Sequence, residues 1–164
     1  MSSDSLDKLQ VSLFDENART LSLNELRNGR AMIIDFWTTK CVKCPAALEK
    51  LNEAAASSID SSVLYVSCAL SQGPGNKEVV MDMVDEWEDM THCFMEIDQK
   101  EEAKSAFGFS AVPFVIIVDK SGSVISSGDP KSVDYVTTLK TAAAASSEVA
   151  PAVTENAFSL DEDF

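Results

Sequence analysis

Residues 31–48 read A-M-I-I-D-F-W-T-T-K-C-V-K-C-P-A-A-L, and this stretch decides the fold. Met32, Ile33, Ile34, Phe36 and Trp37 make an apolar run of strand length, broken only by Asp35. Thr38, Thr39 and Lys40 form a short loop, after which Cys41 and Cys44 enclose Val42 and Lys43. Leu48, Leu51 and Ala55 then recur at helical spacing, with Pro45 early in the pattern, where a missing N–H costs nothing. The reading is a buried strand that delivers Cys41 to the first turn of a helix. There the unpaired backbone N–H groups and the positive dipole end stabilise a thiolate. Lys40 and Lys43 add positive charge on either side. An exposed thiol of this kind, with a second thiol three positions on, makes a dithiol–disulfide couple.

Outward from that stretch, strands and helices alternate. Gln10 to Phe14 alternates weakly and ends at the turn signal Asp15-Glu16-Asn17. Ser22 to Glu25 has the S-x-x-E form of a capping box, and Gly29 is placed to close that helix. Val63 to Cys68 reads as a strand, and Ser71 to Gly75 breaks the chain. Asn76 is read as the cap of a helix whose Val79, Val80, Met83, Val84 and Trp87 form one apolar stripe. His92 to Ile97 reads as a strand. Asp98 and Glu101 suggest a second capping box, on a helix carrying Ala103, Ala106 and Phe107 and stopped at Gly108.

Ala111-Val112-Pro113 leads into Phe114 to Val118, apolar throughout, as a central strand buried on both faces should be. Lys120-Ser121-Gly122 turns into Ser123 to Ser127. Asp129 and Pro130 open a last expected helix, with Val133, Val136, Leu139 and Ala143 facing inward. The pattern predicts an α/β domain over residues 1–145, a mixed sheet flanked by helices on both faces. Residues 146–164 carry Glu155, Asp161, Glu162 and Asp163 and no basic residue, and are expected to form a disordered acidic tail. Phe158, Leu160 and Phe164 within it could serve as a short docking motif, although an uninvolved tail is the plainer reading.

An aspartate in a strand, an F-W pair, a C-x-x-C at the head of a helix and a distant Val-Pro before an apolar strand resemble the thioredoxin superfamily. The resemblance spans roughly residues 9–145, and its N-terminal hairpin is similar to that of the TlpA-like and nucleoredoxin-like branches. It implies a thioredoxin fold and a thiol–disulfide oxidoreductase acting on protein disulfides. Cys41 and Cys44 would then form the redox-active disulfide, Cys41 attacking and the more buried Cys44 resolving the mixed disulfide. Asp35 matches the family's buried aspartate, which handles the proton of the resolving cysteine; a carboxyl in an apolar strand has the raised pKa that suits a relay. Pro113 corresponds to the cis-proline opposite the dithiol, where the backbone of Val112 could pair with an extended substrate. A trans proline opening a strand is the competing reading. The implied substrate-binding residues are Trp37, Lys40, Val112 and Pro113. The chain departs from the family in having Lys40 where a tryptophan usually precedes the first cysteine, and Val42-Lys43 where Gly-Pro or Pro-Pro is common. A lysine between the thiols should stabilise thiolate and raise the reduction potential above that of a strongly reducing thioredoxin.

Other chemistries fit less well. Zinc held by Cys41 and Cys44 with His92, Cys93 or Cys68 lacks paired ligand spacing, and His92 and Cys93, adjacent in a strand, point to opposite faces. Cys68, Cys93 and the methionines read as core, and His92 as structural. A peroxidatic site would need a proline at Ile34, and a papain-like site would leave Cys44 without a role.

A formal net charge of −14 argues against nucleic-acid and anionic-membrane partners. The acid-bearing start, with Asp4 and Asp7, lacks a signal-peptide pattern, and no apolar run is as long as a membrane span, so the cytosol or nucleus is the expected compartment. A monomer is expected, working with disulfide-containing protein substrates and an upstream dithiol reductant or reductase. No small-molecule cofactor or metal is called for, because the dithiol carries the electrons. A binding or scaffold protein, docking partners through the cis-proline face or the tail, is the alternative that the altered Lys40-to-Cys44 segment raises.

Overall fold

The computed structural model describes residues 3–14, 19–57 and 63–131. The acidic tail, the last expected helix and the Asp15-Glu16-Asn17 turn lie outside the described residues.

Among the described residues one seven-stranded mixed sheet runs in the order β2-β1-β5-β4-β3-β6-β7. Its strands are β1 (Gln10–Leu13), β2 (Thr20–Ser22), β3 (Ala31–Trp37), β4 (Val63–Leu70), β5 (Thr91–Met95), β6 (Phe114–Val118) and β7 (Val124–Gly128). The helices are α1 (Ser3–Lys8), α2 (Leu23–Arg27), α3 (Cys44–Ser57), α4 (Asn76–Val84) and α5 (Ile97–Phe107). β3 pairs with β4 in parallel and with β6 antiparallel, and all of its residues are buried. Its near-continuous apolar sequence follows from that position. The parallel pairs β3–β4 and β4–β5 are connected through α3 and α4, as parallel strands require.

Strand alternation divides the core into two layers. Met32, Ile34 and Phe36 of β3 face one cluster, with Leu6, Leu23, Cys68, Cys93, Ala103 and Phe107. Ile33 and Trp37 face the other, with Cys44, Leu48 and Leu51 of α3 and Val80, Val84 and Trp87 from α4 and its following turn. Phe36 stacks on Phe109, with ring centroids 5.2 Å apart, and Phe109 on Phe114 at 4.5 Å. This aromatic pile fixes the loop that carries Val112 and Pro113.

The capping box at Ser22 forms as expected: the Glu25 N–H donates to Ser22 Oγ at 3.0 Å, and the Ser22 N–H to Glu25 Oε1 at 2.8 Å. The left-handed residue that closes α2 is Asn28, one position ahead of Gly29. Three expected details differ. Asn76 is the first residue of α4, after Gly75 in the left-handed region, and its side chain does not cap the helix. Val79 is exposed and leaves the stripe to Val80, Val84 and the half-buried Met83. β5 ends at Met95, level with Leu70 at the end of β4. With no strand left to pair with, the chain turns at Glu96 into α5, so Ile97 is exposed and Asp98 lies inside the first turn without a capping box.

Candidate active site

β3 ends at Trp37, and the loop Thr38–Lys43 carries the chain to α3. Cys41 and Cys44 are joined as a disulfide, with Cα atoms 5.4 Å apart. Cys44 is the first residue of α3, so Cys41 precedes the helix rather than sitting in its first turn. Instead it closes a turn of its own, its N–H donating to the Thr38 carbonyl at 3.2 Å. The asymmetry expected of the pair is present: Cys41 is partly exposed and Cys44 fully buried against the α3 side of the sheet. Between them Val42 is 92% exposed, and Lys43 is exposed too.

Two further loops complete the site. Cys41 Sγ lies 3.7 Å from the carbonyl oxygen of Val112, and the Val112–Pro113 peptide bond is cis. Both residues are partly exposed, leaving Val112 beside the sulfur and open to an extended segment. Next to Pro113 is a cavity of about 220 Å³ bordered by Lys43, Lys50, Asp129 and Lys131. The β4–α4 loop grips the other flank. Gln72 Oε1 accepts from Thr39 Oγ1 at 2.9 Å and from the Lys40 N–H at 3.2 Å. Asn76 Nδ2 donates to Thr39 Oγ1, while its Oδ1 accepts from the Gln72 N–H at 3.0 Å. Sequence reasoning missed this clasp. Asn76 is the one sequence signal for it, and its composition there points to a helix cap instead.

Asp35 lies on the same sheet face as Trp37 and therefore faces the α3 side, with no exposed surface. Neither carboxylate oxygen has a hydrogen-bond partner among the described residues. Burial pushes its pKa well above the usual carboxylate range, and the nearby Asp129 carboxylate pushes the same way. Trp37, expected on the substrate-binding face, is fully buried and edge-on to Trp87 with ring centroids 6.0 Å apart. β3 is covered on both faces, so its last residue packs inward and offers no surface to a substrate. Lys40 is exposed at the mouth of the site.

Cys68 and Cys93 are free, buried and opposite each other in the β4–β5 register. They face the other core layer, across the sheet from the disulfide. Burial, reinforced by the neighbouring Cys93 thiol, holds the Cys68 pKa well above the ordinary thiol value, so it is a poor nucleophile. Among the described residues no group of three or more His, Cys, Asp or Glu side chains is arranged to hold a metal ion.

A family profile described as thioredoxin-like matches residues 29–124, more than half of the chain. No curated protein sequence matches. Solved structures resemble it over most of its length. The thioredoxin domain of a thiol-disulfide oxidoreductase from Bacteroides vulgatus superposes with a TM-score of 0.65 at 17% identity, covering 81% of this chain and 93% of that one. A thioredoxin-like protein from Porphyromonas gingivalis gives a TM-score of 0.63 at 23% identity, covering 86% and 90%. A thiol:disulfide interchange protein from a Bacteroides species gives 0.61 at 17%, covering 85% and 89%. At these identities the likeness is one of fold.

Proposed function

The chain belongs to the thioredoxin-like family, and from that premise we propose that it is a thiol–disulfide oxidoreductase that reduces protein disulfides through Cys41 and Cys44. The observation that carries this reading is the placement of a partly exposed and a fully buried cysteine in one disulfide, beside the open backbone of Val112. The names of the similar structures, thiol-disulfide oxidoreductase and thiol:disulfide interchange protein, support the same chemistry.

In the reduced protein the Cys41 thiolate attacks one sulfur of a client disulfide, whose other sulfur leaves as a thiolate. The client segment lies against Val112 and Pro113, and Lys40 at the mouth offers it positive charge. Cys44, shielded from solvent, gives its proton to Asp35, attacks Cys41 Sγ and frees the second client sulfur. The raised pKa of Asp35 brings it nearer that of a thiol, which eases proton transfer between them. An upstream dithiol reductant or reductase then renews the pair, with a reducing compartment such as the cytosol as the setting.

Titration in graded glutathione buffers, read by intact mass after alkylation, tests the couple. One two-electron transition mapping to Cys41 and Cys44 is expected, with a midpoint above the roughly −270 mV of a strongly reducing thioredoxin. Cys44→Ser should accumulate mixed disulfides with clients. A pair that never closes, or a Cys44→Ser variant that binds partners without a covalent link, would leave the scaffold reading in its place.

A further inference from the structure

The buried carboxyl of Asp35 has no exposed surface through which to exchange its proton with water. The sheet register supplies a neighbour. Asp35 of β3 is level with Ser67 of β4, and Ser67 with His92 of β5, in consecutive parallel pairs. In-register residues share a face, and adjacent strands lie about 4.8 Å apart, so the three side chains form a row across the sheet. Ser67 is fully buried, whereas His92 is only half-buried and lines a cleft of about 680 Å³ with Asp85, Glu88 and Thr91.

The hydrogen bonds give the row a direction. His92 Nε2 bonds the Trp87 carbonyl, which can only accept, so Nε2 carries the ring proton. Nδ1 is then the acceptor, and the Ser67 hydroxyl donates to it. With its hydrogen committed to the imidazole, Ser67 Oγ keeps its lone pairs; no hydrogen bond joins it to Asp35 in this structure, so the transfer requires the protonated carboxyl to turn toward its in-register neighbour.

We propose that Ser67 and His92 form the proton outlet of Asp35, passing the proton that Cys44 releases to solvent at the cleft. The inference rests on the oxidoreductase reading above. Cys44 Sγ–H protonates the Asp35 carboxylate; the Cys44–Cys41 bond forms as the Cys41–client bond breaks, and the client sulfur leaves with the electron pair. Asp35 then donates to Ser67 Oγ as the hydroxyl proton passes to His92 Nδ1; the imidazolium loses its Nε2 proton to water at the cleft, and a ring flip with rotation of the Ser67 hydroxyl restores the starting hydrogen bonds. Asp85 and Glu88 border His92, and Asp85 favours the imidazolium, while burial keeps the resting ring neutral. Asp129 acts on Asp35 from the end of β7, and Cys68 and Cys93 lie on the opposite face.

The test mixes the reduced full chain with a nitrophenyl disulfide whose released thiolate is coloured. The first burst reports attack by Cys41 and the second reports resolution by Cys44. In weak buffer between about pH 6 and 9, His92→Gln and Ser67→Ala should slow the second burst about tenfold and leave the first unchanged. Added imidazole should restore the second burst in His92→Gln. An unaltered first burst shows that each variant is folded. Second bursts equal to wild type in both variants overturn the outlet while leaving the oxidoreductase reading intact. A wild-type protein with no second burst overturns both.

Discussion

The sulfur of Cys41 and the carbonyl oxygen of Val112 stand 3.7 Å apart although 71 positions separate them in the chain. The sheet sets that distance, because β3 and β6 pair antiparallel with Phe36 opposite Phe114, and each strand opens into one of the two loops. Phe109 stacks on both rings and holds the second loop from the side.

Phe109→Ala should therefore act on stability and chemistry together. Loss of a buried aromatic ring costs about 3–5 kcal/mol, read as a fall in the urea midpoint. The first thiolate burst with an aromatic disulfide should slow as well, since Val112 is no longer held beside the sulfur.

Gln72→Ala separates the two effects. It removes the acceptor for Thr39 Oγ1 and the Lys40 N–H in a surface loop, so the urea midpoint should change by about 0.5 kcal/mol or less. The attack rate should fall several-fold, because the turn that presents Cys41 loses its outer support. An unchanged rate would show that the turn closed by Thr38 and Cys41 holds without the clasp.

Lys43→Glu replaces an exposed positive charge between the cysteines with a negative one. An exposed charge contributes roughly 0.2–1 kcal/mol. A reversal removes one such contribution and adds its opposite, and about 1.4 kcal/mol corresponds to 30 mV for a two-electron couple, so the glutathione midpoint should move roughly 10–40 mV toward more reducing values. The direction follows from loss of thiolate stabilisation in the reduced form, and a move the other way would remove Lys43 from the account.

Asp35 ties stability to pH with a sign opposite to that of a salt-bridged carboxylate. Its folded pKa lies above the unfolded one, near 3.9. Between the two values the folded chain keeps a proton that the unfolded chain has lost, so stability falls as pH rises through that window. Asp35→Leu should unfold at higher urea than wild type at neutral and alkaline pH, by about 1–3 kcal/mol, with the gap shrinking toward pH 4. Asp35→Asn should slow the second burst and spare the first.

The central strands were legible in the sequence because β3 and β6 are buried on both sides and show it as unbroken apolar runs. The cysteine pair, Asp35 and the Val112–Pro113 loop were legible from their fixed positions relative to those runs. What escaped depends on partners distant in the chain. Asn76 has the composition of a cap, but its amide turns to Thr39, 37 positions away. Trp37 stands beside the dithiol loop in sequence, yet the layer it belongs to draws it into the core. The row from Asp35 to His92 becomes visible only once three strands are in register, since nothing local links residues 35, 67 and 92.

Val42 stands between the two thiols with 92% of its surface in solvent, so folding asks almost nothing of it. The side chains nearest the reactive sulfurs are thus those least involved in holding the domain together. Electron affinity can therefore be changed at this position without any repacking of the interior.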